Sequence, residues 1–102
     1  MQHLRMTRHA RQRLQQRGSR PKDVAIVMTY GDIEVPAREG CRYVQLSHWE
    51  AARLQREGSL KVSDVDQARR LVVLADPDGR VVTVLKCSPE RRVSSRRAGA
   101  RR

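Results

Sequence analysis

The sequence predicts one α+β domain that contains both helices and antiparallel strands. Helical patterns open the chain, two hairpin patterns follow, and 102 residues are enough for a single domain. The only aromatic residues are Tyr30, Tyr43 and Trp49, so we expect a small aliphatic core. We place the domain at residues 1–87 and assign residues 88–102 to a disordered basic tail.

The first predicted helix covers residues 7–18. Thr7 is a suitable N-cap, and Gly18 is a suitable residue to follow the last turn. Residues four apart share a helix face, which gives an apolar stripe beside a cationic one. The apolar stripe consists of Met6, Ala10 and Leu14, and the cationic stripe consists of His9, Arg13 and Arg17. We expect the apolar stripe to pack inward, which places the cations at the edge of the core, where a bound anion would feel them strongly.

A second helix and a hairpin are predicted next. Pro21 is typical of a first helical turn and Gly31 of a helix end, so the helix is expected at residues 21–30. Strands are predicted near residues 33–38 and 42–47, joined by a turn at Glu39-Gly40.

A third helix is predicted at residues 48–57, with Ser47 as its cap and Gly58 at its end. The side chains expected to pack against the body are Trp49, Ala52 and either Leu54 or Arg53. Residues 58–70 have an ambiguous pattern that is compatible with a short helical turn at residues 64–69, capped by Ser63.

The last predicted unit is a hairpin with strands at residues 71–75 and 81–85. Its connection, Asp76-Pro77-Asp78-Gly79, has Pro and Gly where a type I turn favours them. Both strands are almost entirely apolar, so we expect this hairpin at the centre of the sheet. The two aspartates are interpreted as turn formers, because the nearby sequence offers no further oxygen ligands for a metal.

Basic residues cluster at both ends of the chain. Residues 1–22 contain seven Arg or Lys and no acid, the tail contains six Arg against one Glu, and the whole chain carries +11 at pH 7. Clustered arginine of this kind indicates an RNA or DNA partner bound with little sequence preference, with an anionic membrane surface or a merely basic protein as alternatives. We expect the anion contacts to come from Arg5, Arg8, Arg11, Arg20, Lys22, Lys86, Arg91, Arg92, Arg96 and Arg97. The few aromatic residues exclude a sheet that stacks several bases.

The two cysteines indicate a reducing compartment. Cys41 and Cys87 lack the spacing of a metal site and are too few for a disulfide framework, so we predict free thiols. No apolar run approaches the roughly 20 residues of a membrane span, and the first residues do not resemble a signal peptide. We therefore expect a cytoplasmic protein without metal or cofactor, whose oligomeric state the sequence does not indicate.

The pattern His9-Ala10-x-x-Arg13-x-x-x-Arg17-Gly18, together with the second helix and the Asp-Pro-Asp-Gly-x-Val-Val-Thr-Val hairpin, resembles a widespread bacterial family of small domains. That family is similar to the BrnT toxins and to the RelE and ParE toxin superfamily, and the resemblance covers residues 7–86. It implies two N-terminal helices packed on a small antiparallel sheet of about four strands. It also implies an endoribonuclease or another member of a toxin-antitoxin pair, with an antitoxin protein as partner. Fold does not decide between these activities.

RNA cleavage by a 2′-hydroxyl needs a proton acceptor, cations for the charge on phosphorus and a proton donor for the leaving oxygen. His9 is the candidate acid or base, and Arg13 and Arg17 are the candidates for holding phosphate oxygens. Candidates for the second proton-transfer group are His48, Tyr30 and Tyr43. Many RelE-type toxins carry Tyr, His or Arg late in the last strand, whereas this chain has Lys86, and an ammonium is a poor general base. The departure favours RNA binding over cleavage.

Each of these residues also has a structural interpretation. His9 would then be a packed, hydrogen-bonded residue, and Arg17 would bind carbonyls at the helix end. Arg13 would pair with Asp23 or Glu34. A third hypothesis, besides catalysis and nucleic-acid binding, is an interaction domain whose basic face meets an acidic protein such as an antitoxin.

Overall fold

Local capping signals determine where the first three helices begin and end. The computed structural model describes residues 4–86, and its helices α1 (Arg8–Gln16), α2 (Pro21–Tyr30) and α3 (His48–Glu57) confirm the predicted ones. Thr7 Oγ1 accepts the N–H of Ala10 at 3.0 Å, and Gly18 follows α1 with φ +67°. Ser47 Oγ in turn accepts the N–H of Glu50 at 3.0 Å. These short-range contacts explain why the sequence placed the helix ends correctly.

A fourth helix, α4 (Val62–Ala68), begins earlier than the predicted turn. Ser63 lies inside the helix, so its prediction as the cap is wrong, and Lys61 occupies the cap position. The cause is tertiary: Asp64, in the first turn, binds Lys22 Nζ and Arg20 Nη2 at 3.0 Å each. This docking onto α2, rather than a local cap, determines where α4 begins.

Four strands form one antiparallel sheet in the order β1 (Ile33–Pro36), β2 (Arg42–Gln45), β3 (Leu71–Ala75) and β4 (Val81–Lys86). The first hairpin is confirmed, with shorter strands than expected, because Arg38–Gly40 forms a 3₁₀ turn. In the second hairpin the N–H of Gly79 donates to the carbonyl of Asp76 at 2.9 Å, as the predicted turn requires. The α+β class is therefore confirmed for residues 4–86.

The prediction that the second hairpin lies at the centre of the sheet is wrong for one of its strands. β3 is central, but β4 is the last strand in the order and lies at the edge. The segment before α1 covers the outer edge of β4 at the start of the strand. The N–H of Val81 donates to the carbonyl of Arg5, and the carbonyl of Val81 accepts from the N–H of Thr7, each at 2.9 Å. α1 packs on the strand. This cover explains why an end strand is as apolar as a central one.

The core lies between the helices and one face of the sheet. α1 packs on β4, α2 packs on β2, β3 and α4, and α3 packs on α4. Cross-strand register brings Val44, Val73 and Val84 to the same face. The buried apolar residues of this core are Ala10, Leu14, Val24, Ile26, Val27, Val44, Leu46, Ala51, Leu54, Val65, Ala68, Leu71, Val73, Val81 and Val84. Among residues 4–86, no helix combines the length and apolarity that a membrane crossing requires.

The prediction that Trp49 packs against the body is wrong. Trp49 is 82 % exposed. The side of α3 that faces the core carries Ala51 and Leu54, and Trp49 lies nearly opposite them on the helix. Ala52, predicted to pack inward, is half-buried. The expected contact of Leu54 with the core is confirmed.

Candidate nucleic-acid interface

The cationic stripe of α1 lies where the sequence analysis placed it, beside a buried apolar stripe. Ala10 and Leu14 are buried against the core, and Met6 packs partly against it. His9 is exposed, whereas Arg13 and Arg17 are half-buried. The stripe therefore runs from solvent towards the edge of the core, where charges are less screened than at a fully hydrated position.

Lys86, the last residue of β4, reaches the end of this stripe. Its Nζ donates to the carbonyl of Arg17 at 3.3 Å, which neutralises part of the negative end of α1. Arg17 Nε is buried and has no hydrogen-bond partner within the described chain. We call Arg8, His9, Arg11, Arg13, Arg17 and Lys86 the α1–β4 surface.

The α1–β4 surface contains no acidic side chain, and its arginines have no carboxylate partners in the part of the chain that the structure describes. Ion pairs within residues 4–86 have their cations elsewhere, among them Arg20, Lys22, Arg42, Arg53 and Arg80. Arg5 lies just before α1 and donates to the carbonyl of Asp78. Arg8 and Arg11 are exposed on the solvent side of α1, so they extend the surface around the helix from the stripe. This surface therefore carries a positive charge that the described carboxylates leave uncompensated.

Two predicted anion contacts are already engaged with carboxylates. Arg20 Nη2 lies 2.7 Å from Asp23 Oδ1 and 3.0 Å from Asp64 Oδ1, and Lys22 binds the other oxygen of Asp64. The hydrogen bond to Asp23, followed by that to Asp64, raises the pKa of Arg20, and hydrogen bonds from Lys22 and then Arg20 lower the pKa of Asp64. Arg20 and Lys22 thus join α2 to α4.

The carboxylates proposed as partners of Arg13 bind other arginines. Asp23 is held by Arg20, and Glu34 Oε1 lies 3.2 Å from Arg42 Nε. Arg13 is therefore left without either predicted partner. His9 also makes no side-chain hydrogen bond within residues 4–86, so the structural interpretation of His9 lacks the partner it required.

The candidate second proton-transfer groups lie on other elements and make other contacts. Tyr43 pairs in register with Leu74 on the sheet, and Tyr30 packs on the core at the end of α2. His48 Nδ1, on α3, lies 3.5 Å from Arg69 Nη2. Within the described residues no hydrogen bond or ring contact joins any of the three to His9.

Asp76 has the turn-forming role that the sequence indicated. Its Oδ1 accepts the N–H groups of Asp78 at 3.0 Å and Arg80 at 2.9 Å, and the bond from Arg80 is the main cause of its lowered pKa. No group of three or more potential metal ligands comes together within residues 4–86.

The predictions for the two thiols and the tail divide at residue 86, where the described structure ends. Cys41 is a free, half-buried thiol, whereas Cys87 lies outside the described residues. The tail arginines Arg91, Arg92, Arg96 and Arg97 also lie outside residues 4–86, as does the predicted disorder of residues 88–102.

Sequence reasoning missed an exposed aromatic cluster at the start of α3. The rings of His48 and Trp49 meet edge to face, with centroids 5.9 Å apart. The available signal was the spacing of Ala51 and Leu54, which forms an alternative apolar face of α3 and leaves Trp49 outside.

Comparisons with known proteins give no relative for this chain: no family model, no curated protein and no solved structure matches it.

Proposed function

We propose that the protein is a toxin-like RNA-binding protein of the RelE and BrnT kind, and that its α1–β4 surface binds the phosphate backbone. The observation that carries the proposal is the set of four arginines on this surface without a carboxylate partner in residues 4–86. The family assignment rests on the motif of α1, which supplies two of the four. RNA is chosen on that resemblance, since the charges alone suit DNA equally well.

The arrangement of charges is unfavourable for the protein alone. Arg13 and Arg17 are one helical turn apart, and like charges at this spacing destabilise a helix by about 0.2–0.5 kcal/mol. A phosphate chain relieves this repulsion and releases its own condensed cations, which is the main driving force of non-specific binding.

Binding, rather than cleavage, is the function that the described geometry supports best. His9 is exposed on the same stripe as Arg13, but neither His48 nor the two tyrosines contact it. Lys86 reaches the stripe at the carbonyl of Arg17, where it adds charge and not a general base. The α1–β4 surface thus has several cations that can hold phosphate but only one imidazole that can transfer a proton.

The test is a salt titration of binding. Fluorescence anisotropy of a labelled RNA is measured with the full chain between about 50 and 200 mM salt. For the double variant Arg13→Ala, Arg17→Ala we expect weaker binding and a log–log salt slope about 1 to 2 smaller in magnitude. The tail carries six further arginines, so the variant keeps a measurable affinity.

Lys61→Ala is the matched single-charge control for each arginine, because Lys61 is exposed at the start of α4, which packs on α2 and α3. It should leave the slope nearly unchanged. Equal effects of Lys61→Ala and Arg13→Ala would remove the α1–β4 surface from the proposal, and wild-type protein that binds no nucleic acid would contradict the function itself.

A further inference from the structure

The tryptophan of this chain lies on the surface, where its ring is available to a ligand. Trp49 is the only tryptophan in the sequence and is 82 % exposed, while Ala51 and Leu54 hold α3 to the core. A large aromatic ring that contributes little to the core of so small a domain is typical of a binding surface.

Polar and basic side chains lie near this ring. His48 meets it edge to face, and Arg69 Nη2 lies 3.5 Å from His48 Nδ1. Arg56 follows Trp49 by seven residues, which places it on the same face of α3, and it is exposed. The two carboxylates of α3, Glu50 and Glu57, are both bound by Arg53, so their charge is partly compensated.

We propose that Trp49 stacks on an unpaired base, so that the protein binds single-stranded nucleic acid in preference to a duplex. The inference rests on the proposed function and adds the class of nucleic acid to it. Base–aromatic stacking needs an open base face, which a single strand offers and a continuous duplex does not. Arg56, exposed on the same face of α3 as Trp49, is the cation available to a phosphate beside the stacked base.

A strand about as long as the protein is the ligand on which both surfaces can be tested together. The longest axis of residues 4–86 is 34 Å. A strand of about 12 nucleotides, at about 3.4 Å or more each, is at least as long. The α1–β4 surface then supplies charge while Trp49 supplies stacking, which depends little on base identity.

Fluorescence of Trp49 tests the inference directly, because it is the only indole in the chain. The full chain is titrated with a single-stranded oligouridine of about 12 nucleotides, with a duplex of equal length, and with inorganic polyphosphate, which has charge but no bases. We expect strong quenching by the single strand and little by polyphosphate or duplex. Bound single strand without quenching would overturn the stacking role and leave phosphate binding intact.

Substitutions separate stacking from charge. Trp49→Ala should weaken binding of a labelled single strand about tenfold, leave its salt slope unchanged and leave polyphosphate binding unaffected. Trp49→Phe should retain part of the affinity. Val62→Ala is the control for an exposed apolar side chain, since Val62 is 56 % exposed on α4, and it should have no effect.

Each other outcome has a defined meaning. Wild-type affinity in Trp49→Ala would overturn the inference and assign the exposed ring to a protein partner instead. An equal loss for single strand and polyphosphate would also overturn it, because it would show a role without base contact. Absence of any binding by the wild-type chain would overturn both this inference and the function on which it rests.

Discussion

Arginine has different roles on two sides of this small domain. Between α2 and α4, Arg20 binds Asp23 and Asp64, and Lys22 shares Asp64 with it. On the α1–β4 surface, Arg13 and Arg17 have no carboxylate partner within residues 4–86. The first arrangement holds two helices together, and the second leaves charge for a ligand.

The difference originates in how acids are distributed along the sequence. Residues 1–22 contain no acid, so the cations of α1 have no carboxylate on their own helix. Arg20 has Asp23 three residues later, which accepts its backbone N–H at 3.1 Å as well as its guanidinium. Changes between α2 and α4 should therefore alter stability, whereas changes on the α1–β4 surface should alter binding.

The largest expected effect comes from removing the packing beneath α1. Leu14 is 3 % exposed, and Leu14→Ala should lower the free energy of unfolding by about 2–5 kcal/mol. Urea denaturation followed by circular dichroism measures it, and Leu60→Ala, at a partly buried leucine, should cost less. A loss below about 1 kcal/mol for Leu14→Ala would show that α1 does not depend on this contact.

The next effect tests the junction between α2 and α4. Asp64 is 5 % exposed and binds two cations, so Asp64→Asn should lower the melting temperature by several degrees. The salt slope of RNA binding should stay unchanged, because Arg20 and Lys22 lie outside the α1–β4 surface. Asp66→Asn is the matched control, since the oxygen that accepts from Gln55 Nε2 at 3.1 Å is retained in asparagine.

Stability against acid should depend on the same carboxylate. Lys22 and then Arg20 lower the pKa of Asp64 below the ordinary aspartate value of about 3.9, so its contribution is present above that value. The contribution is lost as the pH falls through the lower pKa of the folded state. Melting temperatures recorded from about pH 6 to pH 2 should fall less steeply for Asp64→Asn than for the wild type. Parallel curves would exclude this role of Asp64.

The sequence predicted the elements that depend on local contacts. Thr7, Pro21 and Ser47 act within one helical turn, and the ends of α1, α2 and α3 agree with the structure. The start of α4 could not be predicted, because it depends on Asp64 meeting cations more than forty residues away along the chain. The sequence also did not determine which face of α3 is buried. Positions 49 and 52 form one possible apolar face and positions 51 and 54 form another, and the packing of α3 on α4 buries the second.

The candidate site was predictable in its residue types and less so in its partners. The spacing of four residues correctly placed Arg13 and Arg17 beside the buried stripe. Lys86 and the end of α1, which are in contact, are separated by 69 residues along the sequence, and Lys22 and its partner Asp64 on α4 are separated by 42. Such contacts follow from the packing of α1 on β4 and of α2 on α4, which a single sequence does not specify.

The smallest expected change in stability is at His9, and it separates the two interpretations of the α1 motif. His9 is exposed and makes no side-chain hydrogen bond within residues 4–86, so His9→Ala should change the free energy of unfolding by no more than about 0.5 kcal/mol. A loss of about 1 to 3 kcal/mol would instead indicate that His9 ties α1 to the body through an interaction absent from the described geometry.

The same variant is assayed for cleavage of labelled RNA, with Gln12→Ala as a control at a neighbouring exposed position of α1. A wild-type chain that binds RNA without cutting it agrees with the phosphate-binding proposal. Cleavage that falls about a hundredfold in His9→Ala at unchanged stability would show that His9 transfers a proton, and the α1–β4 surface would then be an active site as well as a binding site.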